Sequence, residues 1–127
     1  MSPSRRKNVL SSLAREVYQI LGRRAPLTEP RITYAELAAQ LRMIDDAFEF
    51  INHRSQQLYA ALGEVGRECR RLGLPSLPAL VVRADTKRPG AAYFEGKCSG
   101  QVYRGERISA WRKEVEAVKQ TRYPTHF

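Results

Sequence analysis

The stretch Ile32-Thr33-Tyr34-Ala35-Glu36-Leu37 carries the clearest local structural signal in the chain. Thr33 can cap a helix with its side-chain oxygen, and Glu36, three residues later, can accept a hydrogen bond from the backbone amide of the capping residue. Ile32 and Leu37 stand at the two positions whose apolar contact fixes the direction in which the chain enters such a helix. The stretch therefore predicts a short helix that begins directly after Thr33.

Apolar residues at three- and four-residue spacings predict a helix on either side of this stretch. The stripe of the preceding helix consists of Leu10, Leu13, Val17, Ile20 and Leu21. The stripe of the following, longer helix consists of Leu58, Leu62, Val65, Cys69 and Leu72. This longer helix is expected to begin within residues 52–55. Gly22 and Gly73 are expected to end the two helices, because glycine adopts the left-handed backbone conformation at little cost.

The segment after the long helix predicts a β-hairpin and a last helix. Residues 77–82 form a short apolar run between prolines, which is typical of a strand, and residues 92–94 would return as the second strand. Residues 85–90 between them are typical of a turn. A final amphipathic helix carries Ile108, Trp111, Val115 and Val118. The order of the elements predicts an α+β fold, mostly helical with a small β-hairpin, of the winged helix-turn-helix type.

The charge of the chain points to an anionic partner. The 127 residues include 22 lysines and arginines against 13 aspartates and glutamates, which gives a net charge of +9. Seventeen of the basic residues are arginine, whose planar guanidinium binds phosphate through two hydrogen bonds. The length predicts one domain over residues 1–127, in which residues 1–8 form a flexible basic arm.

Several classes of protein are not expected. No apolar run approaches the roughly 20 residues that a membrane span needs, and no long apolar segment follows the basic start as in a secretory signal. Two cysteines and two histidines are too few for a disulfide scaffold or a zinc module. We therefore expect a cytoplasmic domain without a membrane, metal or cofactor partner.

Basic residues in two further segments are candidates for contact with phosphates. Arg67, Arg70 and Arg71 share one stretch of the long helix, and Lys87 and Arg88 fall at the tip of the predicted hairpin, where they would form a wing. Such side chains gain affinity for nucleic acid by displacing counterions, so binding is expected to weaken steeply with salt. These five residues predict the phosphate contacts of a nucleic-acid-binding surface.

Polar residues at the start of the long helix are candidates for contact with bases. Arg54, Gln56 and Gln57 stand where side chains reach base edges when a helix enters a major groove. The helix terminus would also favour a phosphate. An exposed, polar first turn with ordinary capping explains the same residues equally well.

Residues 31–38, Arg-Ile-Thr-Tyr-Ala-Glu-Leu-Ala, resemble the Thr-Tyr-Gly-(Glu/Asp)-(Leu/Val)-Ala segment of the DNA alkyltransferases and alkyltransferase-like proteins. A looser similarity extends over residues 56–62 and residues 77–82, and the whole covers about half the chain. In that family the first piece leads into a winged helix, the second belongs to the recognition helix, and the third carries the reactive centre. The resemblance implies a helix-turn-helix protein that binds DNA, with Tyr34 near a phosphate.

The reactive centre of that family is missing. Its cysteine falls at Pro78 and its following histidine at Ala79, while Gln56 stands at the position of its helix-stacking arginine. Cys69 lies on the predicted apolar stripe and Cys98 lies well beyond the predicted strand, so neither replaces the nucleophile. Alkyl transfer is therefore not expected, and the resemblance is limited to the scaffold.

Two other functions fit the same residues. A basic surface also suits an acidic protein, so a second hypothesis is a small phage- or defence-related interaction protein that binds an acidic or nucleic-acid-binding partner. A third is a metal-dependent nuclease, in which Asp85 and Glu95 hold a divalent metal and Lys97 stands beside the attacking water. Asp85 is also typical of a turn, where its carboxylate bonds to the backbone. The favoured prediction is a protein that binds nucleic acid, with duplex DNA ahead of RNA, and catalyses no reaction.

Overall fold

Helices dominate the fold, and one small sheet joins two distant parts of the chain. The computed structural model describes residues 11–95 and 106–124; the predicted basic arm, Lys97 and Cys98 lie outside them. Its longer helices are α1 (Ser12–Arg24), α2 (Tyr34–Ile44), α3 (Gln56–Arg71) and α5 (Arg107–Lys119), with the single-turn helix α4 at Ala91–Phe94. The strands are β1 (Ile32–Thr33) and β2 (Val81–Val82), and two 3₁₀ helices span Asp46–Phe48 and Leu77–Leu80.

The predicted start of α2 is confirmed. Thr33 Oγ1 accepts a hydrogen bond from the Glu36 backbone nitrogen at 3.0 Å, and Glu36 Oε1 accepts one from the Thr33 backbone nitrogen at 3.0 Å. The hydrogen bond from the Thr33 backbone nitrogen holds the pKa of the Glu36 carboxyl below its usual value. Ile32 and Leu37 are both buried, so the cap and the apolar contact together fix the direction of α2.

The predicted end of α3 is confirmed as well. Gly73 has a φ of +71°. Its backbone nitrogen donates to the Arg70 carbonyl at 3.1 Å, and the Leu74 nitrogen donates to the Cys69 carbonyl at 2.8 Å. These two hydrogen bonds satisfy carbonyls of the last helical turn. Leu72 does not belong to the buried stripe as predicted, because it lies at the exposed end of the helix and is 38% exposed.

The prediction that Gly22 ends α1 is wrong. The helix continues to Arg24, because Ala25 is buried and its backbone nitrogen still donates to the Leu21 carbonyl at 3.0 Å. A Cβ on Gly22 would lie 3.8 Å from the Cβ of Tyr123. Gly22 therefore lies where α1 contacts the segment after α5, and it does not adopt the left-handed backbone conformation predicted for it.

The predicted β-hairpin is wrong. β2 pairs with β1 in parallel, with Ile32 opposite Val81 and Thr33 opposite Val82. Residues 77–80 form a 3₁₀ helix with a proline in its first turn, and residues 91–94 form α4. Both valines are buried, and their strand pairs with the strand that leads directly into α2. The fold is therefore α+β with a two-stranded parallel sheet, and residues 11–95 and 106–124 contain no antiparallel hairpin.

The helices and both strands share one apolar core. Trp111 of α5 is 3% exposed, and its Nε1 donates to the Ala79 carbonyl at 2.8 Å. The Tyr123 hydroxyl donates to the Pro75 carbonyl at 2.6 Å. These two contacts fix the end of the chain against the segment that precedes β2. Across the part of the chain that is described, no helix has both the length and the apolar character to cross a membrane.

Candidate nucleic-acid interface

A cleft of about 690 Å³ opens beside the sheet. Its position follows from the parallel register, because Tyr34 begins α2 directly after Thr33, and Arg83 directly follows Val82, the partner of Thr33. In a parallel pair the carboxyl ends of both strands meet at one edge, so the residues after them become neighbours. Arg54, from the segment before α3, also lines the cleft.

Two tyrosines tie the walls of the cleft together. The rings of Tyr34 and Tyr59 lie 5.5 Å apart between centroids, at 49° to one another. The Tyr34 hydroxyl accepts a hydrogen bond from the Gly90 nitrogen at 3.3 Å, and the Tyr59 hydroxyl donates to the His53 carbonyl at 3.1 Å. Tyr34 thus joins α2 to residue 90, and Tyr59 joins α3 to the segment before it.

The segment before α3 is ordered by its own side chains. Ser55 Oγ accepts a hydrogen bond from the Asn52 nitrogen at 2.9 Å, and Asn52 Oδ1 accepts one from the Arg54 nitrogen at 2.8 Å. Because Ser55 is used in this way, its side chain does not cap α3. Gln56 and Gln57 in the first turn of α3 are exposed, as is Arg54. The predicted base-contacting residues therefore lie on an accessible helix terminus.

Residues 83–90, hereafter the 83–90 loop, are closed by hydrogen bonds. The Arg83 nitrogen donates to the Arg88 carbonyl at 2.9 Å, and the Lys87 nitrogen donates to the Arg83 carbonyl at 2.9 Å. The Asp85 carboxylate accepts from the Thr86 nitrogen at 2.8 Å and from the Arg83 guanidinium at 2.8 Å and 3.0 Å. The Arg83 guanidinium holds the pKa of Asp85 below its usual value. The predicted turn role of Asp85 is confirmed, but Lys87 and Arg88 lie on this loop and not at the tip of a hairpin.

Asp85 and Glu95, the metal ligands of the nuclease hypothesis, do not form a metal site in the described part of the chain. Both Asp85 oxygens bind Arg83, and Glu95 is exposed at the end of α4. Within residues 11–95 and 106–124, no three His, Cys, Asp or Glu side chains are grouped as metal ligands. Asp85 is thus accounted for by the closure of the 83–90 loop.

Four cationic side chains lie at the cleft or on the 83–90 loop beside it. Arg54 and Arg83 line it, and Arg83 and Arg88 line a second cleft of about 440 Å³ next to it. Lys87 is close enough to Glu36 to contribute to the lowered pKa of that carboxyl. The side chains of Arg54, Lys87 and Arg88 form no hydrogen bond or ion pair with any residue in the two described ranges. Their charges are therefore available to an external anion.

Arg67, Arg70 and Arg71 lie toward the other end of α3. Arg67 lies eleven positions after Gln56 on the helix, which corresponds to about 16 Å along the helix axis. All three arginines are exposed, and Arg71 forms an ion pair of 2.6 Å with Glu68. The predicted cationic residues thus divide into a group at the cleft and a group at the end of α3.

Sequence reasoning missed Arg83. The residue follows an apolar run that predicts the first strand of a hairpin, and nothing in that pattern places it beside Tyr34. The basic residue directly after the apolar run 77–82 would be the only available signal, and it becomes meaningful once β2 is known to pair in parallel with β1.

Comparison of the chain with models of protein families, with curated proteins and with solved structures found no match. Function is therefore inferred from the cleft and its charges.

Proposed function

We propose that the protein binds duplex DNA through the cleft and the 83–90 loop, without catalysing a reaction. The observation that carries the proposal is the group of exposed cations at the cleft and on the 83–90 loop, Arg54, Lys87 and Arg88, which form no ion pair with an acidic residue in the described ranges. They come from two segments of the chain, the one before α3 and the 83–90 loop. A set of unneutralised positive charges on a chain of net charge +9 favours a polyanion.

The shape of the site suits a sugar–phosphate backbone beside a groove. Arg54 and Arg83 line one cleft, and a guanidinium binds a phosphate through two parallel hydrogen bonds. The start of α3 has no side-chain cap, and the partial positive charge of a helix N-terminus favours a phosphate there. Gln56 and Gln57 would then face base edges.

The common core of the segments that resemble the alkyltransferase scaffold supports a helix-turn-helix type of binding. The three pieces that resemble the alkyltransferase scaffold, residues 31–38, residues 56–62 and residues 77–82, all lie in elements that pack into one core. In this proposal α3 is the recognition helix, and the 83–90 loop takes the place of a hairpin wing. Tyr34 acts by holding that loop beside α2.

A salt titration of binding to duplex DNA tests the proposal. Replacing one phosphate-contacting cation lowers the slope of log affinity against log salt by about one. We therefore expect Arg54→Gln, Lys87→Gln and Arg88→Gln each to lower the slope by about one and to weaken binding several-fold at low salt. Arg112→Gln is the matched control, because it removes the same charge from an exposed position on α5 that does not line the cleft. Its slope is expected to equal that of the wild type.

Two further measurements separate DNA from other anions and base contacts from phosphate contacts. Gln56→Ala is expected to change the relative affinities for different duplex sequences while leaving the salt slope unchanged. Binding to polyglutamate as tight as that to DNA would favour an acidic protein partner instead. The proposed surface is wrong if the three cleft variants bind DNA as the wild type does, or if Arg112→Gln weakens binding as much as they do.

A further inference from the structure

Residues 43–50 form an exposed surface that is both apolar and acidic, here named the acidic-apolar patch. Met43 is 88% exposed, Phe50 55% and Ile44 45%, and they are three of the five large apolar side chains that are exposed in residues 11–95 and 106–124. The acidic residues of the patch, all exposed, are Asp45, Asp46 and Glu49. The segment contains no lysine or arginine, so it contrasts with a chain that is otherwise strongly basic.

The backbone of the patch is fixed by contacts on either side. Asp45 Oδ1 accepts a hydrogen bond from the Ala47 nitrogen at 2.8 Å and so caps the first 3₁₀ helix. Phe48 and Ile51 are buried, and the Arg42 guanidinium donates to the Ile51 carbonyl. The exposed apolar side chains are thus presented by an ordered backbone, which lowers the entropic cost of binding a partner.

The end of α3 has the complementary character. Arg67, Arg70 and Arg71 are exposed, and Leu72 beside them is 38% exposed. Leu27 is the other exposed leucine of the described ranges, but its neighbour in sequence Glu29 is acidic and paired with Arg31 at 2.9 Å. Among the described residues, residues 67–72 therefore match the acidic-apolar patch best in both charge and apolar content.

We propose that the acidic-apolar patch of one molecule binds residues 67–72 of a second copy of the chain. Leu72 would pack against Met43 and Phe50, while the arginines at the end of α3 face the carboxylates. Complementary patches overcome the repulsion that two molecules of high positive charge otherwise exert. The association is head-to-tail, because two different surfaces meet. Each dimer therefore keeps one free patch and one free copy of residues 67–72, and larger assemblies form as the protein concentration rises.

This association does not depend on the proposed function. Neither surface includes a residue of the cleft or of the 83–90 loop, so the test is made on the full chain without nucleic acid. Sedimentation velocity at low salt is expected to show a weight-average mass that rises with protein concentration. Added salt is expected to return the protein toward the monomer, since the carboxylates and guanidiniums are exposed and screened.

A complementation experiment identifies the two surfaces. Met43→Ser/Phe50→Ser removes the apolar part of the patch, and Arg67→Glu/Arg70→Glu reverses the charge at the end of α3. Arg71 is left in place because it pairs with the buried Glu68. Each double variant alone is expected to be monomeric. An equimolar mixture is expected to form a dimer and no larger species, because each variant retains the surface that the other has lost.

Single substitutions and controls keep the result decisive. Leu72→Ser is expected to weaken association about tenfold, and Leu27→Ser and Arg112→Glu, at exposed positions outside both surfaces, are expected to leave it unchanged. Thermal unfolding of each variant verifies that it is folded. If a double variant is unfolded, the association of the single variants Leu72→Ser and Glu49→Lys is compared with that of the wild type instead. The proposal is overturned if the wild type stays monomeric at every concentration, or if folded double variants associate as the wild type does. A mixture that stays monomeric would also overturn it, because it would show that the patch retained by one variant does not bind residues 67–72 retained by the other.

Discussion

The hydroxyl of Tyr34 accepts a hydrogen bond from the backbone nitrogen of Gly90 at 3.3 Å, across 56 residues of the chain. Tyr34 begins α2 and Gly90 ends the 83–90 loop, so this contact and the pairing of β1 with β2 hold the loop beside α2. A Cβ on Gly90 would lie 3.6 Å from the same hydroxyl, which is an ordinary contact distance. Residue 90 therefore has room for a side-chain carbon beside the hydroxyl, and the contact between them is this hydrogen bond.

Tyr34→Phe is expected to destabilise the protein by about 1 kcal/mol, because the partly buried Gly90 amide loses its acceptor. DNA affinity is expected to fall as well, since Lys87 and Arg88 are no longer held at the cleft. Urea denaturation and a duplex binding titration measure the two effects. Tyr59→Phe is the matched control: its hydroxyl donates to the His53 carbonyl at an exposed position, where water can replace the donor. Equal losses in the two variants would contradict the role given to Tyr34.

The capping box of α2 makes stability depend on pH. The backbone hydrogen bond from Thr33 holds the pKa of Glu36 below its usual value, so the carboxylate stabilises the fold above the unfolded-state pKa. This contribution is lost as the pH falls through the folded-state pKa. Glu36→Gln keeps an acceptor but cannot titrate. The wild type is expected to be more stable than Glu36→Gln at neutral pH, and the difference is expected to shrink below about pH 4.

Denaturation of both proteins across this pH range provides the measurement. The wild type is expected to lose more stability than this difference alone, because Arg31 and Arg83 also lower the pKa values of Glu29 and Asp85. A gap between wild type and Glu36→Gln that stays constant from neutral to acidic pH would show that the charge of Glu36 contributes nothing.

The parts of the fold that the sequence predicts depend on neighbours along the chain. Thr33 and Glu36 are three residues apart and form the cap of α2 whatever the rest of the protein does. Gly73 ends α3 through hydrogen bonds within one turn. Trp111 is in the core, as its helical spacing predicts. The pairing of Ile32 with Val81 is different, because strands of two residues show no alternation that would identify their partner.

The candidate site follows the same division. The charge of Arg54, Lys87 and Arg88 and their positions at a helix start and in a turn are enough to predict them as contacts for an anion. Arg83 is not predicted, because its place at the cleft depends on the parallel pairing of β1 with β2. At the end of α3 the opposite happens, because residues that are predicted on one helix do not share a site. Arg67 belongs to the same helix as Gln56 but lies about 16 Å from it along the axis.

The thiol of Cys69 is expected to be unreactive in the folded protein. It is fully buried on α3, and burial raises its pKa to about 11. At pH 8 a reagent therefore cannot reach the sulfur, and little of the thiol is in the reactive thiolate form. In a Cys98→Ser background, reaction with an aromatic disulfide reagent is expected to be about a hundredfold slower in buffer than in denaturant. Absorbance of the released thiolate follows the reaction. Equal rates under the two conditions would mean that the end of α3 opens readily.

Trp111 joins α5 to the segment that leads into β2. Its Nε1 donates to the Ala79 carbonyl at 2.8 Å in the core, and Ala79 lies two residues before the strand that positions Arg83. Trp111→Phe keeps an aromatic ring but removes the donor and leaves a small cavity. The free energy of unfolding is expected to fall by about 2–3 kcal/mol, as the sum of an unsatisfied buried carbonyl and lost packing.

Tyr123→Phe is the comparison for this prediction, measured by the same urea denaturation. Its hydroxyl donates to the Pro75 carbonyl at 2.6 Å in a partly buried position, and the substitution leaves the ring in place, so a loss of about 1 kcal/mol is expected. If Tyr123→Phe cost as much as Trp111→Phe, the tail after α5 would hold the helix in place as strongly as the tryptophan does. The link from α5 through Ala79 to β2 would then not be the dominant one.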